Sequence, residues 1–218
     1  MVTSVKKDIL GGIIILFGCV IVMSGCESEE QMPVITKDYG LVKTIPAAPK
    51  LTKLPSGVGG MPEGWVPQPY LEKEWKAIVI HHSGTKDGNA TIFDKWHREG
   101  NHWEGVGYDF VIGNGTDSGD GQIEVTFRWK NQQPGAHCGG TAGNWANIDG
   151  IGICLVGNFD NSQPHPGQMQ SLIKLVRFLQ ERYGIPKSRI YGHRTTPGAH
   201  ETECPGRNFP MAKLKASL

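Results

Sequence analysis

Two side chains that commonly bind metal ions, His193 and Cys204, lie on either side of a loop near the end of the chain. Pro197 fixes one backbone angle and lacks an N–H group, and Gly198 adds conformational freedom, so this loop is expected to bend back rather than form a helix. Such a bend can bring an imidazole and a thiolate to one point. Because two ligands do not complete a tetrahedral metal site, another part of the chain must supply at least one more.

Three other histidines are candidates for the missing ligand. His81 and His82 end an apolar run, and His137 lies in a Gly-rich loop, residues 133–140. Zinc suits two histidines and one cysteine with water in the fourth position, the open arrangement of a hydrolytic site. Iron–sulfur chemistry needs more cysteines, and hard metals need clustered carboxylates, which the sequence lacks near these positions. On chemistry alone, the sequence predicts zinc bound by the first pair and one of these three histidines.

The elements that position these side chains alternate between strands and helices, which predicts a mixed α/β domain. Apolar and alternating runs predict five strands, at residues 76–80, 106–112, 122–127, 151–157 and 190–193. Apolar spacing and capping residues predict three helices, at residues 92–98, 168–183 and 209–217. Successive side chains of a strand point to opposite faces, so only one of His81 and His82 is expected to face the site.

The composition is that of a soluble globular domain with tails. The chain has 218 residues, of which 38% are hydrophobic and 20% charged, and its formal net charge is +1. No lysine or arginine run exceeds Lys6-Lys7, so the clustered basic face expected of a nucleic-acid-binding protein is absent from the sequence. We expect no nucleic-acid partner and a monomeric protein.

The body of the chain contains three cysteines, Cys138, Cys154 and Cys204. An odd number without regular spacing does not indicate a disulfide framework, so at least one thiol is free to act as a ligand or nucleophile. A disulfide between Cys138 and Cys154 stays open for a protein in an oxidising compartment.

The N-terminus has the parts of an export signal. Two lysines precede an apolar run, residues 9–23, which is followed by Ser24, Gly25 and Cys26. This ending resembles a bacterial lipobox, which implies a lipid anchor on Cys26; an uncleaved anchor or ordinary cleavage near Gly25 are the alternatives, and Cys19 is a poorer lipidation candidate. We therefore divide the chain into a signal at 1–26, a Pro/Gly-rich tether at 27–74 and a folded domain at 75–218. The expected location is the periplasm or cell envelope, on the membrane.

Beyond this chemistry, the chain contains short motifs at residues 78–83, 106–110, 135–137, 152–157, 192–194 and 202–206. These motifs occur in the order found in type 2 N-acetylmuramoyl-L-alanine amidases, and the chain resembles that family over residues 76–213. The family includes phage lysozyme-type amidases and peptidoglycan recognition proteins. The resemblance implies a mixed central β-sheet flanked by helices, the peptidoglycan recognition protein-like amidase fold.

The resemblance also assigns the metal ligands. The family's first histidine ligand matches His81, its second matches His193, and its cysteine ligand matches Cys204. His82 is then expected to pack in the domain or to contact a metal ligand without binding the metal itself. The loop between the last two ligands is longer than in the phage members, so the course of its additional residues is not implied by the family.

Catalytic and substrate-binding roles follow from the same resemblance. Tyr108 matches a tyrosine near the metal, and Thr202 occupies the position that holds lysine in phage members and threonine in amidase-active recognition proteins. His137 matches a histidine that contacts substrate. The alternatives are core packing for Tyr108, ordering of the loop for Thr202 and a loop hydrogen bond for His137.

The implied activity is zinc-dependent hydrolysis of the amide between N-acetylmuramic acid and L-alanine, with peptidoglycan or muropeptides as the partner. Two other functions stay open. One is a peptidoglycan-binding module without catalysis, which loss of the cysteine ligand would indicate. The other is a zinc amidase that acts on a different exported amide.

Overall fold

A computed structural model describes residue 62 and residues 64–218 of the chain. The predicted export signal and most of the predicted tether lie outside these residues. The strands are β1 (Ala77–His82), β2 (Phe110–Ile112), β3 (Ile123–Val125), β4 (Gly150–Leu155) and β5 (Ile190–Gly192). The helices are α1 (Ala90–Asn101), α2 (Phe127–Lys130), α3 (Trp145–Ile148), α4 (Pro166–Tyr183) and α5 (Met211–Ala216). Within this part of the chain, no helix has the length and apolar character needed to cross a membrane.

The strands form one five-stranded mixed sheet in the order β3-β2-β4-β1-β5. β4 pairs in parallel with β2 and β1, and β1 pairs in parallel with β5, while β3 runs antiparallel to β2. Both central strands are almost entirely buried, which is why their sequences are nearly continuous apolar runs. The predicted mixed α/β sheet flanked by helices is confirmed.

The five predicted strands and three predicted helices are all present, although several boundaries differ. The largest difference is in the strand predicted at 106–112, of which only Phe110–Ile112 pairs as a strand. The strand predicted at 122–127 ends earlier because the Thr126 hydroxyl accepts a hydrogen bond from the Arg128 N–H and starts helix α2. Helices α2 and α3 were not predicted, since each contains only four residues and shows no apolar period.

The two faces of the sheet are covered by different elements. Leu172 and Val176 of α4 belong to the large core cluster that also contains Ile80 of β1. On the other side, Phe93 of α1 belongs to a cluster with Val111 of β2, next to a small cluster around Val79. Strand alternation therefore separates the two histidines that end β1, with His81 on the Val79 side and His82 on the Ile80 side.

The folded domain begins by Trp65, earlier than the predicted boundary at residue 75. The Trp65 side chain is 2% exposed, and its carbonyl accepts a hydrogen bond from Nε1 of Trp129. Glu72 forms a buried ion pair with Arg182 of α4 and accepts a hydrogen bond from the Tyr183 hydroxyl. Proline content alone made this segment look like tether, but its aromatic and acidic residues hold it against the domain.

A buried carboxylate ties the approach to β2 to the central strand β4. Asp109 is fully buried; its N–H donates to the Gly152 carbonyl over 2.9 Å, and its Oδ2 accepts from the Gly152 N–H over 2.8 Å. Its other oxygen has no hydrogen-bond partner within the described residues. Burial raises the pKa of Asp109 to about 7, against the partial opposition of the Gly152 hydrogen bond and the charges of Lys73 and Arg128.

This carboxylate predicts a specific pH dependence of stability. A folded-state pKa of about 7 against 3.8 for the ordinary group means that Asp109 favours folding most at low pH. That contribution is lost as the pH rises from about 4 to about 7, by up to about 1.4 kcal/mol per pH unit. The unfolding free energy of the Asp109→Asn variant should therefore rise relative to wild type over this range, as measured by chemical denaturation of the metal-free protein.

The exposed Asp117 provides the matched control for this measurement. Asp117→Asn removes the same charge without a buried carboxylate, so its difference from wild type should be nearly constant with pH. An Asp109→Asn difference as flat as that of the control would contradict the assignment.

Candidate metal centre

Parallel pairing of β1 with β5 brings the two predicted histidine ligands together. Ile80 lies opposite Gly192 in the register, so the next residues, His81 in β1 and His193 just after β5, lie at adjacent positions. The centroids of the two imidazole rings are 4.7 Å apart. His193 begins a 3₁₀ turn, His193–Thr195, which is held by hydrogen bonds between the Thr195 hydroxyl and the backbone of Gly192.

Backbone contacts bring Cys204 to the same point. Its carbonyl accepts a hydrogen bond from the Arg194 N–H over 2.7 Å, which closes the loop that separates the two ligands in sequence. Its Sγ accepts from the His82 N–H over 3.4 Å. Its own N–H donates to the Thr202 hydroxyl over 3.2 Å. The cysteine is thus fixed by the end of β1 and by its own loop.

The three side chains form a candidate metal site. One donor atom from each of His81, His193 and Cys204 lies within 4.8 Å of the others. Cys204 Sγ and His81 Nδ1 are 3.6 Å apart, close to the spacing of about 3.5 Å between a sulfur and a nitrogen ligand of tetrahedral zinc. Nε2 of His193 is buried and has no hydrogen-bond partner within the described residues, as expected for an atom that binds a metal. Two nitrogens and one sulfur fit zinc.

The electrostatics of the two histidines suit a metal, whereas the cysteine must lose its proton to bind one. Burial lowers the pKa of His81 well below its usual range, with further lowering by the neighbouring His137 and His193, and burial lowers the pKa of His193. Both imidazoles are therefore neutral near pH 7, as ligands must be. Burial raises the pKa of the Cys204 thiol to about 12, so the thiol keeps its proton until a metal displaces it.

Comparison with known proteins identifies the family. Residues 71–207 match the family described as N-acetylmuramoyl-L-alanine amidase. The chain belongs to this family.

Three relatives show the extent of the similarity. The endolysin of Escherichia phage T7 is 33% identical over 131 residues, which cover 56% of this chain and 78% of the endolysin. A human N-acetylmuramoyl-L-alanine amidase is 26% identical over 160 residues, 72% of this chain but only 24% of the human protein. The structure of the N-acetylmuramoyl-L-alanine amidase LysC from Clostridium intestinale matches with a TM-score of 0.55 and 32% identity, covering 66% of this chain and 84% of LysC.

We refer to His81, His193 and Cys204 as the ligand group. Tyr108, one of the two predicted catalytic residues, lies beside it. Its ring centroid is 5.3 Å from that of His81. Burial raises the pKa of Tyr108 well above its usual range, with smaller contributions from Cys154 and Cys204, so the phenol keeps its proton. A neutral phenol next to a metal site can donate a hydrogen bond to a reacting oxygen.

Thr202, the other predicted catalytic residue, orders the loop between His193 and Cys204 in the structure. Its hydroxyl oxygen accepts the hydrogen bond from the Cys204 N–H. This is the alternative role considered for it from the sequence, and the two roles are compatible. A hydroxyl that accepts one hydrogen bond still has its own O–H to donate.

His137, predicted to contact substrate, lies underneath the ligand group. Its side chain is 7% exposed, and its ring centroid is 4.9 Å from that of His81. Its Nδ1 lies 3.1 Å from Nε2 of His81, and its Nε2 lies 3.3 Å from the Gly150 carbonyl oxygen. Both ring nitrogens already have partners, so neither is left for a substrate.

The loop between His193 and Cys204 contacts the Gly-rich loop that contains His137. The His200 N–H donates to the Gly139 carbonyl over 3.0 Å. A Cβ atom at Gly140, where φ is +89°, would lie 2.8 Å from the His200 nitrogen, so only glycine fits. Ala199 packs against the cluster around Val79. The paired glycines were the sequence signal for this contact, which was not predicted for His200.

His97 is a second residue whose place sequence reasoning missed. Its Nδ1 accepts a hydrogen bond from the Gly107 N–H over 3.0 Å, and its ring centroid is 5.7 Å from that of Tyr108. It therefore fixes the turn that carries Tyr108, the predicted catalytic tyrosine. Its position on the inner face of α1, one turn after Phe93, was the available signal.

We predict that zinc binding depends on Cys204 and not on the buried Cys138. Wild-type protein should bind one zinc per chain, and Cys204→Ala should bind none, because two histidines alone do not hold a structural or catalytic zinc. Metal content after dialysis, measured by mass spectrometry, tests this. Cys138, a free and buried thiol outside the donor group, provides the control. Equal zinc in Cys204→Ala and Cys138→Ala would contradict the assignment.

Proposed function

We propose that this protein is a zinc-dependent amidase that cleaves the bond between N-acetylmuramic acid and L-alanine in peptidoglycan. The observation that carries the proposal is the convergence of His81, His193 and Cys204 in a chain of the N-acetylmuramoyl-L-alanine amidase family. When bound, zinc polarises the amide carbonyl and activates a water molecule. The remaining tasks, which are to hold the ligands, place the amide and stabilise developing charge, belong to the protein.

Tyr108 and Thr202 supply the hydrogen-bond donors in this proposal. The phenol of Tyr108 stays protonated at neutral pH because burial raises its pKa. The Thr202 hydroxyl is held beside the metal ligand through its bond from the Cys204 N–H, with its own hydrogen left to donate. Donors aimed at the oxygen that becomes negatively charged typically contribute about 3–4 kcal/mol each to transition-state stabilisation.

The structure favours catalysis over binding alone. A recognition module needs only a surface that contacts its ligand, and nothing in binding requires a cysteine whose sulfur lies within 4.8 Å of a nitrogen from each of two histidines. Nε2 of His193 is buried without a hydrogen-bond partner in the described residues, and the Cys204 thiol is largely removed from water; both have a cost in free energy that a metal would offset. The identity of the amide rests on the family, so a zinc amidase for another exported amide is the outcome to exclude by experiment.

Digestion of purified sacculi tests the activity. Wild-type protein should release stem peptides that begin with a free L-alanine, identified by mass spectrometry. Tyr108→Phe should lower kcat by about 100- to 1000-fold with zinc content unchanged, since it removes one donor to the developing oxyanion. Tyr70→Phe makes the same change at an 82% exposed tyrosine and should have no effect.

Two results of this digestion contradict the proposal. Zinc-loaded wild type that binds sacculi but releases no peptide would indicate a binding module. Cleavage of another amide without a free L-alanine terminus would indicate the other amidase.

We also propose that the protein is exported and held on the membrane by a lipid on Cys26, with the domain in the periplasm or cell envelope. The proposal rests on the sequence of the first 26 residues, which lie outside the described part of the chain. Cys26→Ser should move the protein from the membrane to the soluble fraction, as measured by immunoblotting of cell fractions. Cys19→Ser is the matched control and should remain on the membrane; the reverse pattern would contradict the assignment.

A further inference from the structure

His137 is buried against the ligand group but does not belong to it. Its ring lies between two glycines: a Cβ atom at Gly135 or at Gly152 would overlap the ring at Cδ2. Gly152 is in the middle of the buried strand β4, where glycine weakens a strand and marks a close approach by another group. The ring of His137 is that group. The sheet is therefore shaped to admit an imidazole behind His81.

The backbone of His137 is fixed as firmly as its ring. The N–H groups of His137 and Cys138 both donate to Oδ1 of Asn147, over 2.8 and 2.9 Å, and the Asn147 amide donates to the Cys138 carbonyl. Asn147 is itself 7% exposed and belongs to the short helix α3. A residue held on both sides in this way is suited to orient a neighbour.

The hydrogen bonds of this ring determine where protons lie. The Gly150 carbonyl can only accept, so the contact with it requires a proton on Nε2 of His137. In a neutral imidazole the other nitrogen, Nδ1, is then an acceptor. Its partner 3.1 Å away is Nε2 of His81, which must therefore carry a proton and donate it. That leaves the lone pair of His81 on Nδ1, the atom that lies 3.6 Å from Cys204 Sγ.

We propose that His137 is a positioning residue that fixes the tautomer and ring orientation of His81, so that Nδ1 of His81 is the zinc-binding atom. The chain of bonds runs from the Gly150 carbonyl through His137 to His81. This inference rests on the proposed zinc site and replaces the predicted contact of His137 with substrate. Groups that orient a histidine ligand through its second nitrogen typically change metal affinity by about 10- to 100-fold when removed.

Zinc affinity in two variants tests the role of the acceptor. His137→Phe keeps a ring of similar size but removes the acceptor, and it should weaken zinc binding about 10- to 100-fold in chelator competition. His137→Asn retains an acceptor oxygen near the position of Nδ1, and it should lose less affinity than His137→Phe. His165→Phe makes the same change at an exposed histidine and should bind zinc as wild type does.

The tautomer itself can be read in the unmodified protein. Long-range ¹H–¹⁵N spectra of the zinc-bound full chain should show the proton of His81 on Nε2 and zinc on Nδ1, with the proton of His137 also on Nε2. A His81 that is protonated on Nδ1 and binds zinc through Nε2 would overturn the proposal even if a variant fails to fold. Wild-type affinity in His137→Phe would overturn it as well.

These outcomes are separate from failure of the proposed function. If wild-type protein binds no zinc, the amidase proposal fails before any variant is made. If wild type binds zinc and His137→Phe binds it equally well, the zinc site stands and only the positioning role is lost. The role requires weaker zinc binding in His137→Phe together with the Nε2–H tautomer of His81.

Discussion

The parallel pairing of β1 with β5 is the constraint on which the site depends. It places the residues after Ile80 and after Gly192 side by side at the carboxyl ends of the two strands, so two histidines far apart in sequence become neighbours. Everything else at the site is arranged around that pair. The loop to Cys204 turns back to reach it, and the ring of His137 lies behind it against β4.

The burial of polar side chains at the site is expected to lower the stability of the metal-free fold. His81 is 1% exposed, the Cys204 thiol is largely removed from water, and Nε2 of His193 is buried without a partner in the described residues. Desolvated polar atoms of this kind are unfavourable unless a partner satisfies them. A metal that binds only the folded chain would satisfy them and add to the stability of the native state. The glycines at 135, 140 and 152 are a second cost, since each gives up side-chain packing to let a histidine approach.

The residue patterns of short segments were sufficient to predict part of this structure. The apolar run before His81 and the amphipathic spacing of α4 predicted the elements, and strand alternation predicted that the two adjacent histidines would separate. The motifs, in their order, predicted the family. The packing of Trp65 was not predictable, because a single tryptophan among prolines has no periodicity. The bonds of His137 were not predictable either, because they depend on which strand lies behind the ring, a feature of the sheet order rather than of any short segment.

X-ray absorption spectroscopy of the zinc-loaded full chain tests the central claim most directly, because it reads the atoms around the metal. The account predicts two imidazole nitrogens at about 2.0–2.1 Å, one sulfur at about 2.3 Å and one further light atom. These donors correspond to His81, His193, Cys204 and an open position. A spectrum without a sulfur neighbour, or one that requires two, would contradict the account.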